Sequence, residues 1–547
     1  MLTFDAALSS WVTVIYADDG VILFRYMEEP HIQTAVDAIA SQLDKWCRHV
    51  KCRLSWPKTR LMCFPVADST ITEGCVKWLG IQLDRKFKWS QHVASLIGKI
   101  EASYHSIKRH VCSTWGLIAD VALQFFDTVA RGHLLHGVGC WGLAAKRPRI
   151  AGQLRSLQAR LYRRARRLNS RTPTSFACRI GHEGIAWDEL CLFQCAKQRL
   201  TFPEFLDAEP VKDIVGGAVH PYPVERFVEV TERISYTVDY STNPDCLPDS
   251  GTAVIYSDGS VLPGQCAGCG IAFATITGDW VTSGRKLPSH STPLQAEILG
   301  IWLAASTGSS QPHVARVVVL SDCMRAIDTL SGRNGSLTGG RLAQLVLDRL
   351  SKLGKPVSVH YTPSKQTEGN LKADTAARTA ALHGLDVDMT VPFSREALST
   401  LLTRLATARS SAQYEEEVRS LGRSFRFFVP TSSALSALRS LGSLDGIWHL
   451  VSGRNNLRYS RSHIDRGSAT CPLCDSGEDE DVPHFLFRCH RWQLQRKALK
   501  AAVVLRGIPW PVQHGDIFLR DRSLAAALES FISLTRRLSR LDPLTAP

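Results

Sequence analysis

The chain has 547 residues, 44% of them hydrophobic, and carries a formal charge of +14. That length exceeds what one hydrophobic core accommodates, so two to four domains are expected, and the composition excludes wholesale disorder. The positive balance points to a polyanionic partner, either nucleic acid or an anionic membrane surface. A run of about eighteen apolar residues, the minimum for a membrane span, is absent, and the first twenty residues lack a secretory-signal pattern, so no membrane partner is expected. Sixteen cysteines at mostly irregular spacing suit a reduced intracellular compartment, nucleus or cytoplasm, better than a disulfide framework.

Near the N-terminus, WVTVIYADDGVILF holds two apolar runs, Val12–Ile15 and Val21–Phe24, joined by a tight acidic turn. The pattern predicts a β-hairpin with Asp18 and Asp19 at its tip. Adjacent carboxylates repel one another, and their natural partner is a divalent cation. An amphipathic helix is expected from about Ile32 to His49, with Ala35, Ile39, Leu43 and Trp46 at helical spacing. LSWPKTRLMCF then carries Lys58, and VKWLGIQLDRKFKWSQHV carries Trp78, Leu79, Gly80 and Asp84.

These segments, in this order, resemble the palm of reverse transcriptases, with the primer-grip segment of non-LTR retrotransposon enzymes. The resemblance implies that Asp18 and Asp19 are the remnant of a polymerase metal site. Fifteen residues precede Tyr16, too few for fingers and a further metal-binding aspartate. The chain is therefore expected not to polymerise unless that half is supplied, in which case RNA-directed DNA polymerase activity is the reading. Residues 1–130 are assigned to a truncated palm and the start of a thumb.

Residues 146–171 contain ten Lys or Arg and no acid. Leu154, Leu157, Leu161, Ala165 and Leu168 fall at helical spacing, which leaves the arginines mainly on the opposite faces. Without acidic partners one turn away, Arg155, Arg160, Arg163, Arg164, Arg166 and Arg167 are expected to contact phosphate rather than one another's counter-charges. RTPTSFACRIGHEGIAWDEL, residues 171–190, resembles the thumb-to-ribonuclease H region of the same retroelement proteins, and residues 131–208 are assigned to a helical thumb and connection. Prolines and glycines thicken over residues 209–250, which reads as a linker.

Residues 251–385 are read as a five-stranded mixed sheet with flanking helices. AVIYSDGS forms a strand with Asp258 near its end, and two further strands follow in a meander. Thr292, Pro293 and Gln295 start a helix that carries Glu297 on an apolar face, where a lone acid is costly. ARVVVLSD is a fully buried strand ending at Asp322, and Asp374 lies in the first turns of a last helix. Four carboxylates of this kind can hold two Mg²⁺ or Mn²⁺ ions about 4 Å apart.

This stretch is similar to the type I ribonuclease H domain, with all four acids in the family's order and Gly369-Asn370 before Lys372-Ala373-Asp374. The resemblance implies that Asp258, Glu297, Asp322 and Asp374 are catalytic metal ligands. It further implies two-metal hydrolysis of the RNA strand of an RNA/DNA hybrid, with Lys365 and Asn370 at nucleic-acid-contacting positions. Pro363-Ser364-Lys365 stands where many members carry a loop histidine, which puts the rate in question; His360 is a partial substitute or a packed strand residue. Cys266 and Cys269 form a lone CxxC, read as turn residues rather than a zinc site.

Residues 386–547 are read as helices around a small zinc site. Cys471, Cys474, His484 and Cys489 give C-x2-C-x9-H-x4-C, enough ligands for one tetrahedral Zn²⁺. The motif closely resembles the C-terminal CCHC knuckle of non-LTR retroelement proteins. The leading expectation is a ribonuclease H within a retrotransposon-derived protein. Its rival is a catalytically decayed remnant that only binds nucleic acid.

Overall fold

The computed structural model describes residues 11–16, 19–24, 31–64, 73–110, 117–181, 183–199, 251–262, 266–331, 340–442, 444–453 and 455–538. Asp18 and the 209–250 linker lie outside them. The chain divides into two compact units, one built from residues 1–195 with 410–547, the other from residues 196–409.

In the 196–409 unit, five strands form one sheet in the order Trp280–Leu287, Cys266–Ala274, Thr252–Leu262, Arg316–Ser321, Val357–Tyr361. β5 (Thr252–Leu262), β6 (Cys266–Ala274) and β7 (Trp280–Leu287) run as an antiparallel meander. β8 (Arg316–Ser321) and β9 (Val357–Tyr361) run parallel to β5, with Ser257 opposite Ser321. The expected five-stranded mixed sheet is thus present. Its core gathers Ile255, Ile298, Ile301, Val317, Val319, Ile327, Val346 and Val359, drawn from the central strands and the flanking helices. β8 reads as a continuous apolar run because it is flanked by strands on both sides and buried.

The helix Glu368–His383 lies directly on β6. Alanines at 373, 377, 380 and 381 form its buried stripe. A Cβ added at Gly270 would fall 2.2 Å from the backbone nitrogen of Ala377, so only glycine permits this approach. The sequence suggests that Cys266 and Cys269 are turn residues; both instead belong to β6. Cys269 is fully buried, and burial pushes its thiol up to about 12, the behaviour of a small packed apolar group rather than a ligand.

In the other unit, β1 (Trp11–Tyr16) and β2 (Asp19–Phe24) pair as the antiparallel hairpin that the two apolar runs predict. β3 (Cys75–Trp78) and β4 (Ile81–Asp84) form a second hairpin whose turn residues, Leu79 and Gly80, both take positive φ. Asp84 closes the following loop by accepting from the backbone nitrogens of Lys86, Lys88 and Trp89 at 3.1, 2.9 and 2.7 Å.

The helices Ser90–Ile107, Ala119–Leu134, Pro148–Ala165 and Trp187–Arg199 follow. Their apolar faces share one core with residues far along the chain. Val93, Phe126, Trp141, Leu154 and Trp187 belong to the same cluster as Tyr414, Phe428, Trp448, Phe485 and Phe531. The rings of Phe176 and Phe425 meet edge to face at 4.9 Å. The sequence sets residues 386–547 apart from residues 131–208, whereas the chain from Ser410 onward packs with the early helices as one body. Partners more than two hundred residues apart leave no local periodicity by which to recognise one another.

Candidate active site and metal centre

Asp258 lies on β5, one residue beyond the Ser257–Ser321 pair, and Asp322 follows directly after β8. The parallel register therefore brings the two aspartates out of adjacent strands side by side. Glu297 comes from the helix Pro293–Ser309, whose start is fixed by a capping box. Thr292 Oγ1 accepts from the Gln295 backbone nitrogen at 3.3 Å, and the Gln295 side chain accepts from the Thr292 nitrogen at 3.0 Å. Gln295 also donates to the carbonyl of Pro392 at 2.8 Å, which pins the first turn in place. A Cβ at Gly259 would fall 2.5 Å from the backbone nitrogen of Glu297, so the residue after Asp258 lets the helix close on the strand.

The result is a cluster in which one carboxylate oxygen each of Asp258, Glu297 and Asp322 lies within 4.8 Å of the others. Asp258 is 8% exposed, and Glu297 Oε2 is buried with no hydrogen-bond partner among the described residues. Burial raises the pKa of both, and the neighbouring carboxylates raise them further: Asp322 for Asp258, Asp258 and then Asp322 for Glu297. An unpartnered buried oxygen amid like charges is costly, and a hard divalent cation satisfies all three groups at once. The donor set therefore fits Mg²⁺ or Mn²⁺.

Asp374 stands apart from this trio. It sits on the helix Glu368–His383 and receives a hydrogen bond from Arg378 Nε at 2.8 Å, one turn along. Its charge still reaches Asp258, whose pKa it helps to raise. Asn370 is 1% exposed and its Oδ1 accepts from the backbone nitrogen of Lys365 at 2.7 Å, so its side chain holds the loop. Lys365 is exposed at φ 58°, and His360 is buried within β9.

No protein-family model matches the chain, and no curated protein matches it by sequence. Among solved structures it is similar to the RNase H1 of the halophilic archaeon Halobacterium salinarum, at 20% identity over 24% of this chain and 97% of that one, with a TM-score of 0.20. It is also similar to the N-terminal RNase H domain of a Mycobacterium tuberculosis protein, solved as a fusion with maltose-binding protein, at 21% identity over 24% and 98% of the two chains and a TM-score of 0.21. A foamy viral protease-reverse transcriptase in complex with RNA/DNA hybrid matches at 19% identity, covering 29% of this chain and 24% of that chain, with a TM-score of 0.21.

A second donor cluster lies in the other unit. One ligand atom each of Cys471, Cys474, His484 and Cys489 falls within 4.8 Å of the others. Cys474 Sγ is 3.4 Å from His484 Nε2, and Cys471 Sγ is 4.0 Å from Cys489 Sγ, spacings compatible with a common tetrahedral centre. The segment His484–Arg488 is a short π-helical turn that leads into Cys489, whose backbone nitrogen donates to the His484 carbonyl at 2.8 Å. Burial pushes the Cys474 thiol up, but hydrogen bonds with Ser476, Cys471 and His484 outweigh it and hold the group down at about 6. Thiolate, nitrogen and two further sulfurs make a donor set that fits zinc.

Glu478 is a residue against this cluster that the motif reading passes over. Its Oε2 lies 3.0 Å from His484 Nδ1 and accepts from Arg488 Nε at 2.6 Å. Its signal is faint because it belongs to an acidic run, GEDED, that reads as solvated surface.

The basic helix Pro148–Ala165 and its continuation differ from the expectation. Arg155 Nε binds both oxygens of Asp188 at 2.9 and 3.0 Å, and its other nitrogens reach Glu189 and Glu417 at 3.2 Å. Arg160 pairs with Glu101, Arg166 with Asp120, and Arg167 with Asp445 at 3.7 Å. Arg163 donates to the Thr172 carbonyl and to Thr174 Oγ1. The counter-charges missing one turn away on the helix come from other helices, so these arginines tie the unit together. Arg164 remains exposed. In the N-terminal hairpin, Asp19 is exposed and its backbone pairs with Tyr16.

Proposed function

We propose that the chain is a divalent-metal-dependent endoribonuclease acting on the RNA strand of RNA/DNA hybrids, within a retrotransposon-derived protein. The observation that carries this reading is the gathering of Asp258, Glu297 and Asp322 around one point, with Glu297 Oε2 buried and without a hydrogen-bond partner among the described residues. Mg²⁺ or Mn²⁺ bound in such a site would supply Lewis-acid charge. Asp258, fixed by the register of β5 and β8, and Asp322, at the end of β8, hold the cation from the sheet. Glu297 holds it from the helix. Asp374, on the helix over β6, adds negative potential beside Asp258, and a turn of Arg378 away from it would free a fourth carboxylate. Exposed Lys365 lies in the loop before that helix and suits contact with a phosphate of the substrate. In the other unit, Cys471, Cys474, His484 and Cys489 hold a structural Zn²⁺.

The test uses the whole chain with an end-labelled RNA/DNA hybrid and Mg²⁺, beside single-stranded and double-stranded RNA of the same sequence. Cleavage of the hybrid RNA is expected, with loss in Asp322→Asn. Equal survival of the hybrid with wild type and Asp322→Asn, both folded, rejects the enzyme reading and leaves the binding-only remnant.

A further inference from the structure

A cleft of about 240 Å³ lies in the unit made of residues 1–195 and 410–547. Its walls carry Asp120, Arg166, Gly181, Ser436, Arg439 and Ser440. Two cations therefore face one carboxylate. Arg166 is committed: it pairs with Asp120, donates to the Gly442 carbonyl at 3.1 Å, and stacks 4.4 Å over the ring of Trp448. Only its Nε, buried, has no hydrogen-bond partner among the described residues.

Arg439 is not neutralised. Its Nη1 donates to the backbone carbonyl of Arg179 at 3.1 Å, and no carboxylate lies within ion-pair distance of it among the described residues. The like charge of Arg179 acts on it, and Arg179 is itself engaged by Glu189 at 2.8 Å and Glu417 at 3.7 Å. Burial, then Tyr414 and Arg179, set its environment, and the net effect lowers its pKa from the ordinary arginine value; a guanidinium there stays charged. The guanidinium lies over Gly184, where an added Cβ would stand 1.4 Å from Nη1. Ser436 and Ser440 project from the same helix, Ser432–Ser440, and are exposed at the cleft.

We propose that this cleft binds a phosphate group, with Arg439 supplying the unspent charge, Arg166 a fixed positive wall and Ser436 a hydroxyl donor. A half-desolvated guanidinium without a counter-ion is costly, and a tetrahedral oxyanion meets its planar fork of donors with two parallel hydrogen bonds. The volume suits one phosphate, present either as free inorganic phosphate or as a phosphodiester of a nucleic-acid strand running past the mouth.

The experiment titrates sodium phosphate into the full chain by calorimetry at constant ionic strength, against sodium chloride. Wild type, Arg439→Gln and Ser436→Glu are compared, each checked by thermal melting. Arg439→Gln is expected to weaken phosphate binding roughly ten- to hundredfold, the loss of one charge-assisted contact. Ser436→Glu, at an exposed position where folding is unaffected, gives Arg439 an internal counter-charge and is expected to abolish binding. If Arg439→Gln does not fold, Ser436→Glu decides alone. Competition by a single-stranded oligonucleotide, weakened by the same variants, assigns the site to a strand phosphate; phosphate binding that the oligonucleotide leaves intact assigns it to the free anion. The proposal is overturned if wild type binds phosphate no better than chloride, or if the folded variants bind it as wild type does.

Discussion

Glu478 Oε2 stands 3.0 Å from Nδ1 of His484, while Nε2 of the same ring faces Cys474 Sγ at 3.4 Å. The carboxylate accepts the Nδ1 proton, so the ring presents Nε2 as a lone pair to the centre of the cysteine cluster. That is the way outer carboxylates set the tautomer of metal-binding histidines.

Glu478→Gln is expected to weaken zinc affinity about 10- to 100-fold without moving the ligands. Competition with a chromophoric chelator measures this, and Co²⁺ substitution should retain a tetrahedral thiolate spectrum. Unchanged affinity would show that Glu478 merely pairs with Arg488.

Zinc removal should loosen more than the knuckle, because Phe485 and Cys489 are buried in the core shared with the early helices. Cys489→Ser, or chelation of wild type, is expected to lower the melting temperature of that unit by several degrees, an effect on the order of 2 kcal/mol or more. A melt indifferent to chelator would contradict a structural zinc.

Glu480 and Arg537 form a two-armed ion pair at 2.6 and 2.7 Å, 1% and 3% exposed. Glu480 also accepts from the backbone nitrogen of Arg458 at 2.8 Å. Removing one partner leaves a buried charge unpaired, so Glu480→Gln should cost about 3–5 kcal/mol in denaturant unfolding. The double variant Glu480→Gln with Arg537→Met should cost less than the sum of the two single changes.

His92 offers a pH test. It is 1% exposed, Nδ1 accepts from the Gln82 backbone nitrogen at 3.2 Å, and Nε2 has no partner among the described residues. Burial first, and the charges of Lys99 and His136 next, lower its pKa from 6.5 to about 4. The unfolded chain binds a proton below about pH 6.5 that the folded chain refuses until about pH 4, so stability falls as pH drops through that window. The fully developed loss is on the order of 3 kcal/mol. His92→Gln should flatten the slope of unfolding free energy between pH 6.5 and 4 relative to wild type; an identical slope would refute the assignment.

The carboxylate trio was legible because each acid interrupts an apolar pattern: Asp258 and Asp322 at strand ends, Glu297 one turn into a capped helix. The cysteine cluster was legible from spacing alone, since four ligands within nineteen residues need little tertiary information. The side-chain contacts of Asp374 and Asn370 were not. Arg378 engages the first, and the second turns back onto the backbone of Lys365, both outcomes of side-chain rotamers within a helix and a loop.

Local order is written in the sequence: strand and helix periods, the Thr292 cap, the spacing of Cys471, Cys474, His484 and Cys489, and the net positive charge. Tertiary structure decided where that charge goes. Arg155, Arg160 and Arg166 read as a phosphate-binding face because no acid lies one turn away, yet Asp188, Glu417, Glu101 and Asp120 arrive from other helices. It also decided that the chain beyond Ser410 completes the core of the early helices. Periodicity says that a helix face is apolar or charged; it carries no address for the partner that buries it, because packing and ion pairing act through space at any separation along the chain.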